Sequence, residues 1–336
     1  MGIAAMALVA GLAACSSSGG DDTASSSTST ALTDVTVGIP GTSSAFGFLY
    51  VAQEKGIFTK YGLNVKLEEV SNNAQIPGLV KGSFQFVPQA GTLERAALQD
   101  QPVVNVLSAL TAATSALVVG PGINTPDDLK GKKIASAAAN STPTVLAKKY
   151  LADHGLSDSV KIVSLQGEQA QQTAFTSGQV DGLFLNLDSV IKAQGKVSGS
   201  KILATPAQLN LPQGAQAGLG TSKSFLKDHP DTVKAMIGAS LEATKYTLEH
   251  EDEVLPIYAK AFGDTPDQAK ETYEQIKDFI VLIPTPTDAQ FATNASNDSV
   301  SLEKTITAEQ AKATWDTTLT EEVFKELNCP DVCAKS

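Results

Sequence analysis

"VTVGIPGTSSAFGFLYVAQEKGIFTKYGLNVKLEEV" (residues 35–70) reads as a strand, a loop, a helix and a second strand. Residues 35–39 form a short apolar run closed by Pro40 and Gly41, the punctuation of a strand end. Ser43 or Ser44 can cap a helix that ends at Gly56, the position after a helix where a glycine accepts positive φ without a Cβ penalty. Leu63, Val65 and Leu67 then alternate with Asn64, Lys66 and Glu68, the period of a half-buried strand. A strand, a crossover helix and a strand make a βαβ unit, which implies strands laid in parallel.

The same alternation continues along the chain. A helix over residues 74–81 leads to a strand at "SFQFV" (83–87), then a helix at "LERAALQ" (93–99) and a strand at "PVVNVLSAL" (102–110). The pattern then restarts. Strands are predicted at "SALVVG" (115–120), "KKIASAA" (132–138), "VKIVSL" (160–165) and "VDGLFLN" (180–186), separated by a capped turn at 125–131 and by helices at 141–155 and 168–178. "GLVKGSFQFVPQAG" (78–91) and "AFTSGQVDGLFLNLD" (174–188) share one plan, a helix end, a glycine and a strand feeding a loop. That duplication predicts an α/β chain of two similar lobes. Beyond about residue 220 the chain turns helical, through 223–263, 265–279 and a final stretch, 307–327, that carries Trp315 on a core face.

The chain has 336 residues, 42% of them hydrophobic, and a net charge of −11. That balance argues against nucleic acid as a partner, because neutralising phosphates needs a basic face. The first residues differ from the rest. "IAAMALVAGLAA" (3–14) has the length of a signal-peptide core and is too short to span a bilayer. "LAAC" (12–15) resembles the bacterial lipobox, in which Cys15 is lipidated and becomes the first mature residue. Residues 15–33 are rich in Ser, Thr, Gly, Asp and Ala and read as a flexible tether. Residues 1–14 hold no Lys or Arg, unlike the usual positive n-region, which points to a start truncated or chosen too far downstream. The remaining cysteines, Cys329 and Cys333, are expected to form one disulfide in an oxidising compartment.

The segments "FGFLYVAQEKGIFTKYGLNVKLEEV" (46–70), "DLKGKKIASAAANSTPTVLAKKYL" (128–151) and "SGQVDGLFLNLDSV" (177–190) resemble, in that order, landmarks of the nitrate/sulfonate/taurine/thiamine-precursor solute-binding proteins of ABC importers. The resemblance runs from about residue 34 to residue 250. It implies a two-lobed periplasmic-binding-protein fold of type II, each lobe a mostly parallel sheet flanked by helices. Crossovers are expected near 110–116 and 204–218, with residues 34–112 plus 212–336 as lobe 1 and 113–211 as lobe 2. It also implies a monomer that captures a small solute between its lobes, delivers it to a membrane permease, uses no cofactor or metal, and is lipid-anchored on the outer face of the cell membrane.

Ligands of open α/β sheets bind beyond the carboxyl ends of the strands, where loops meet helix N-termini. Three loops fit. "PGTSSAF" offers Ser43, Ser44 and Phe46. "PQAGT" offers Gln89, Gly91 and Thr92. "AANSTPT" offers Asn140, Ser141 and Thr142, and Thr111 adds a hydroxyl at the first crossover. Plain helix capping is the alternative for each loop. A fourth stretch, "FLNLDSV", delivers Asn186 and Asp188, which period two would place on one side. They match the Asn and acidic residue at a comparable strand end of the thiamine-precursor branch, whose flanking aromatics are Leu185 and Leu187 here. Asp188 could instead cap the next helix. These loops contain no Arg or Lys, and Asp188 would repel an anion, so a neutral or amine- or amide-bearing heterocycle is slightly favoured.

An enzyme is not expected. His154, His229 and His250 read as helix-end or turn residues, and no G-x-S-x-G, H-E-x-x-H, Walker or G-x-G-x-x-G pattern is present. A surface sensor or adhesion lipoprotein on the same fold is the second alternative.

Overall fold

β1 (Thr33–Ile39) and β2 (Leu63–Glu69) pair in parallel from Thr33 opposite Leu63 to Ile39 opposite Glu69. Between them run α1 (Gly47–Glu54) and α2 (Ile57–Lys60), with Gly56 at φ +67° in the corner that joins the two helices. The computed structural model describes residues 31–137, 141–209, 214–283 and 285–327; Cys15, Asn140, Cys329 and Cys333 lie outside them. α3 (Asn72–Lys81) and α4 (Ala90–Ala97) precede β3 (Val103–Leu110). Next come β4 (Ser115–Val119), β5 (Lys133–Ser136), α5 (Thr142–Asp153), β6 (Lys161–Ser164), α6 (Glu168–Thr176), β7 (Gly182–Asn186), α7 (Leu187–Gln194) and β8 (Lys201–Ala204). The chain ends through β9 (Ala217–Ser222), α8 (Lys223–Asp228), α9 (Pro230–Glu249), α10 (Glu251–Phe262), α11 (Pro266–Ile276), β10 (Ile280–Ile283), α12 (Asp288–Leu302), α13 (Ala308–Lys312) and α14 (Thr318–Glu326).

The strands form two systems. One five-stranded sheet has the order β6-β5-β7-β4-β8. The other gathers β1 and β2 with the three strands β10-β3-β9, joined by parallel bridge Val37–Phe86 and antiparallel bridge Val87–Gly220. The predicted strand 83–87 is therefore only these two bridge residues, each serving a different neighbour. The chain passes from the sheet of β1, β2 and β3, first in chain order, to the five-stranded sheet between Leu110 and Ser115, and returns between Ala204 and Ala217. Both sheets are mixed. Pairing is parallel within the βαβ units, β1 with β2 and β5 with β6 and β7, and antiparallel where a strand arrives from or returns after a crossover, as β4 and β9 do.

Strands buried on both faces explain the continuous apolar runs in the sequence. In β7, Leu183 and Leu185 join the large core that also holds Val35, Phe86 and Leu219, while Phe184 turns to a second core with Leu117, Ile134 and Leu151 beneath α5. His154, His229 and His250 occupy helix ends, as read from the sequence. Three strands were not anticipated: β8, β9 and β10. Trp315 differs from expectation in one respect. It packs against the core around Phe291 as expected, but it lies off the helices, between α13, which ends at Lys312, and α14, in a bridge with Asn105. Among the described residues no helix is long and apolar enough to cross a membrane.

Candidate functional site

A cleft of about 680 Å³ opens where loops of the two sheets meet, within the size range of small-molecule sites. The first sheet contributes the loop after β1 (Gly41, Ser43, Phe46), the end of β2 and start of α3 (Glu69, Asn72), and the start of α4 (Gln89, Gly91, Thr92) with Arg95 one turn on. The crossover contributes Ala112 to Ser115. The second sheet contributes Glu168, Asn186 and Lys192. Of the residues singled out from the sequence, Ser43, Phe46, Gln89, Gly91, Thr92 and Asn186 line this cleft together.

The others are placed differently. Thr111 is buried at the crossover, where its backbone N–H and its Oγ1 both donate to the Phe279 carbonyl, at 3.0 and 3.3 Å, and its carbonyl accepts from Gly214 N at 2.8 Å. Ser141 Oγ donates to Thr144 Oγ1 at 3.2 Å, and Thr142 is the first residue of α5. Ser44 and Asp188 face each other. Asp188 Oδ2 accepts from Ser43 Oγ at 3.2 Å, from Ser44 N at 3.2 Å and from Ser44 Oγ at 3.1 Å, and the carboxyl is buried. Period two holds only as far as the strand does. Asn186 is the last residue of β7 and α7 begins at Leu187, so the backbone turns and Asp188 points into the interface between the lobes. Nor does Asp188 cap the helix, since Asn186 holds the N-cap position. Burial pushes the Asp188 pKa up, and the hydrogen bonds from Ser44 and Ser43 pull it partly back.

One helical turn further, Lys192 Nζ donates to the Phe262 carbonyl at 2.5 Å and lies 3.3 Å from Asp264 Oδ1. Asp188 and Lys192 are four residues apart on α7, hence on one face. One accepts from the loop after β1 and the other donates to the end of α10. Between them, Val190 and Ile191 pack into the large core. α7 is thus clasped to the other lobe at both ends.

Arg95 and Lys192 were not singled out from the sequence, and both line the cleft. The slight preference for a neutral or amine-bearing ligand rested on loops without a basic residue. Arg95 lies outside those loops but reaches the cleft from within α4, folding back over Gly91, where a Cβ would lie 3.4 Å from Nη1. It is the one arginine in the chain, a compositional signal that could have marked it. Glu69 and Glu168 also line the cleft, so its wall carries both signs of charge. Ser189 Oγ and Gln172 Nε2 hold Glu168 Oε1 at 2.7 and 2.9 Å.

Residues 43–254 match the family described as NMT1/THI5 like. The chain belongs to the NMT1/THI5-like family. A Bacillus subtilis (strain 168) protein named for binding aliphatic sulfonates is 28% identical over 293 residues, covering 82% of this chain and 86% of its own length. The periplasmic aliphatic sulphonate binding protein SsuA from Escherichia coli superposes with a TM-score of 0.67 at 16% identity, covering 84% of this chain and 92% of SsuA. The periplasmic nitrate-binding protein NrtA from Synechocystis PCC 6803 superposes with a TM-score of 0.71 at 13% identity, covering 89% and 90% of the two chains. The fold of this NMT1/THI5-like chain is therefore the two-lobed periplasmic-binding-protein fold.

Proposed function

We propose that this protein is the extracytoplasmic solute-binding component of an ABC importer and is not an enzyme. It captures a small polar solute between its lobes and delivers it to a membrane permease. The lobes comprise residues 34–112 plus 212–336 and residues 113–211, and Ser43, Gln89, Thr92 and Asn186 hold the solute. Lipidated Cys15 and the segment to residue 33 tether a monomer to the outer face of the membrane, and Cys329 pairs with Cys333. One observation carries the reading. A cleft of small-molecule size is walled by polar side chains from both lobes, so that one solute can touch both at once. The relatives named for sulfonates and nitrate support a solute with an anionic group, and Arg95 and Lys192 give such a group its partners.

Calorimetric titration with nitrate, ethanesulfonate, taurine and an aminopyrimidine thiamine precursor tests the reading. One of them binding at one per chain, unchanged chemically and with a raised melting temperature, is the expected result. Turnover of the bound compound would show an enzyme instead. No binding by any of the four would overturn the solute class.

A further inference from the structure

Among 25 basic residues the chain has one arginine, and it stands in the cleft wall. A guanidinium presents a planar fork of donors suited to oxyanions, which a lysine ammonium does not. Behind it lies an unusual pair of acids. Arg95 Nη1 is 3.3 Å from Asp298 Oδ1. The other Asp298 oxygen, Oδ2, and Glu94 Oε1 are both buried, and neither receives a hydrogen bond from an N–H or hydroxyl donor. Asn294, which bonds Glu94, and Asp298, which pairs with Arg95, stand one turn apart on one face of α12, so the two acids lie side by side behind Arg95. The remaining Glu94 oxygen, Oε2, is filled by Asn294 Nδ2 at 2.8 Å and by the indole Nε1 of Trp315 at 3.1 Å.

Two neighbouring buried carboxyls, each with one oxygen lacking a donor, are satisfied together when one proton is shared by the pair. Burial first and the charge of Asp298 second push the Glu94 pKa up to about 8, so that proton is held near neutrality. Asp298 is also raised by burial and is pulled back by Arg95. Of the cations near α4, Arg95 faces the pair, and Lys304 Nζ instead donates to the Leu98 carbonyl at the helix end at 3.0 Å. β3 and β9 contain no ionisable side chain, α12 brings only Asp298 and the neutral Asn294 to the pair, and the segment after α13 brings the neutral Trp315.

We propose that Arg95 grips the anionic group of the ligand, and that Glu94 and Asp298 are positioning residues behind it whose shared proton sets how much of the guanidinium's charge remains for that group. The proposal rests on the cleft being the solute site. With the proton in place Arg95 faces one carboxylate. Without it Arg95 faces two, and an anionic ligand competes against both. Affinity for the anion therefore falls as pH rises through the titration of the pair, and by linkage the bound anion raises the midpoint of that titration.

Trp315 is the one tryptophan, so its indole N–H gives a single nitrogen–proton cross-peak that reports on Glu94 directly. Following this peak against pH in the solute-free protein should show a midpoint near 8, and Glu94→Gln should remove it. Saturating ethanesulfonate or nitrate should raise the midpoint. A rise of about one unit corresponds to about a tenfold weaker grip on the anion above the titration than below it. Arg95→Gln should abolish both the shift and anion binding. An indole peak that does not titrate, or titrates unchanged in Glu94→Gln, overturns the proton pair. A titrating indole that no bound anion shifts overturns the role of Arg95. If the indole titrates and only a neutral solute binds, the solute-binding function stands and this proposal falls.

Discussion

Replacing Asp188 with alanine distinguishes a clasp between lobes from a contact with solute. The substitution removes the acceptor of three hydrogen bonds, from Ser43 Oγ, Ser44 N and Ser44 Oγ, all 3.1–3.2 Å long and buried. Those lengths sit at the weak end of the hydrogen-bond range, and relief of the carboxyl's desolvation offsets part of the loss. Leaving buried donors unpaired costs about 1–3 kcal/mol for each group, non-additively, so about 3 kcal/mol is expected in all. At about 2 cal/mol/K of unfolding entropy per residue over about 300 residues, that lowers the melting temperature by about 5 °C. Asp188→Asn keeps an acceptor oxygen and removes the buried ionisable group, so it should stay within about 1 kcal/mol of the parent. The pH dependence gives a second signature. Because the folded pKa of Asp188 is raised, its contribution is fully present below the unfolded carboxyl value of about 3.9 and is lost as pH rises through the folded value. The parent should therefore lose stability relative to Asp188→Asn across that window. Scanning calorimetry over a pH series, paired with a solute titration, measures all of this. If Asp188→Ala abolishes solute binding while its melting temperature stays that of the parent, Asp188 is a ligand contact and the clasp is wrong.

The other end of the clasp should respond too. Lys192→Met leaves the Asp264 carboxylate, only 1% exposed, without its cation and the Phe262 carbonyl without its donor, and should cost about 2–3 kcal/mol by urea unfolding. Phe184→Ala opens a cavity in the core beneath α5 and should cost about 3–4 kcal/mol while leaving solute affinity unchanged at the remaining folded population. Thr265→Ala removes one half of the capping box with Gln268 and should cost about 1 kcal/mol, read as faster hydrogen exchange in the first turn of α11.

The parts of the fold set by local chemistry were legible in the sequence. The β1-α1-α2-β2 unit announced itself through alternation and through Gly56, and the restart at residue 115 is where the chain enters the second sheet. β9 was not legible because nothing local favours a strand in "AGLGTS". It is a strand through its pairing with β3, where Gly218 and Gly220 let the backbones approach; a Cβ at either would collide with carbonyls of β3. β10 and β8 are four residues each and are likewise defined by distant partners. In the site, the loops that follow strands were readable as a class, since ligand clefts form at strand ends. Arg95 was hidden because it reaches the cleft from within a helix, over a glycine four residues earlier, and loop-by-loop reading skips such a residue. The strand end at Asn186 was legible, but period two does not carry into Leu187 and Asp188, where α7 has begun and the side chain turns toward Ser43 and Ser44.

Mass spectrometry of small molecules released by unfolding the natively purified protein tests the central claim most directly. A solute-binding protein should release one small polar solute in roughly equal amount to the chain, and Ala113→Trp, which fills the cleft wall with an indole, should release none. Retention of the same solute by Ala113→Trp, or its release in chemically altered form after incubation, would contradict capture and delivery through this cleft.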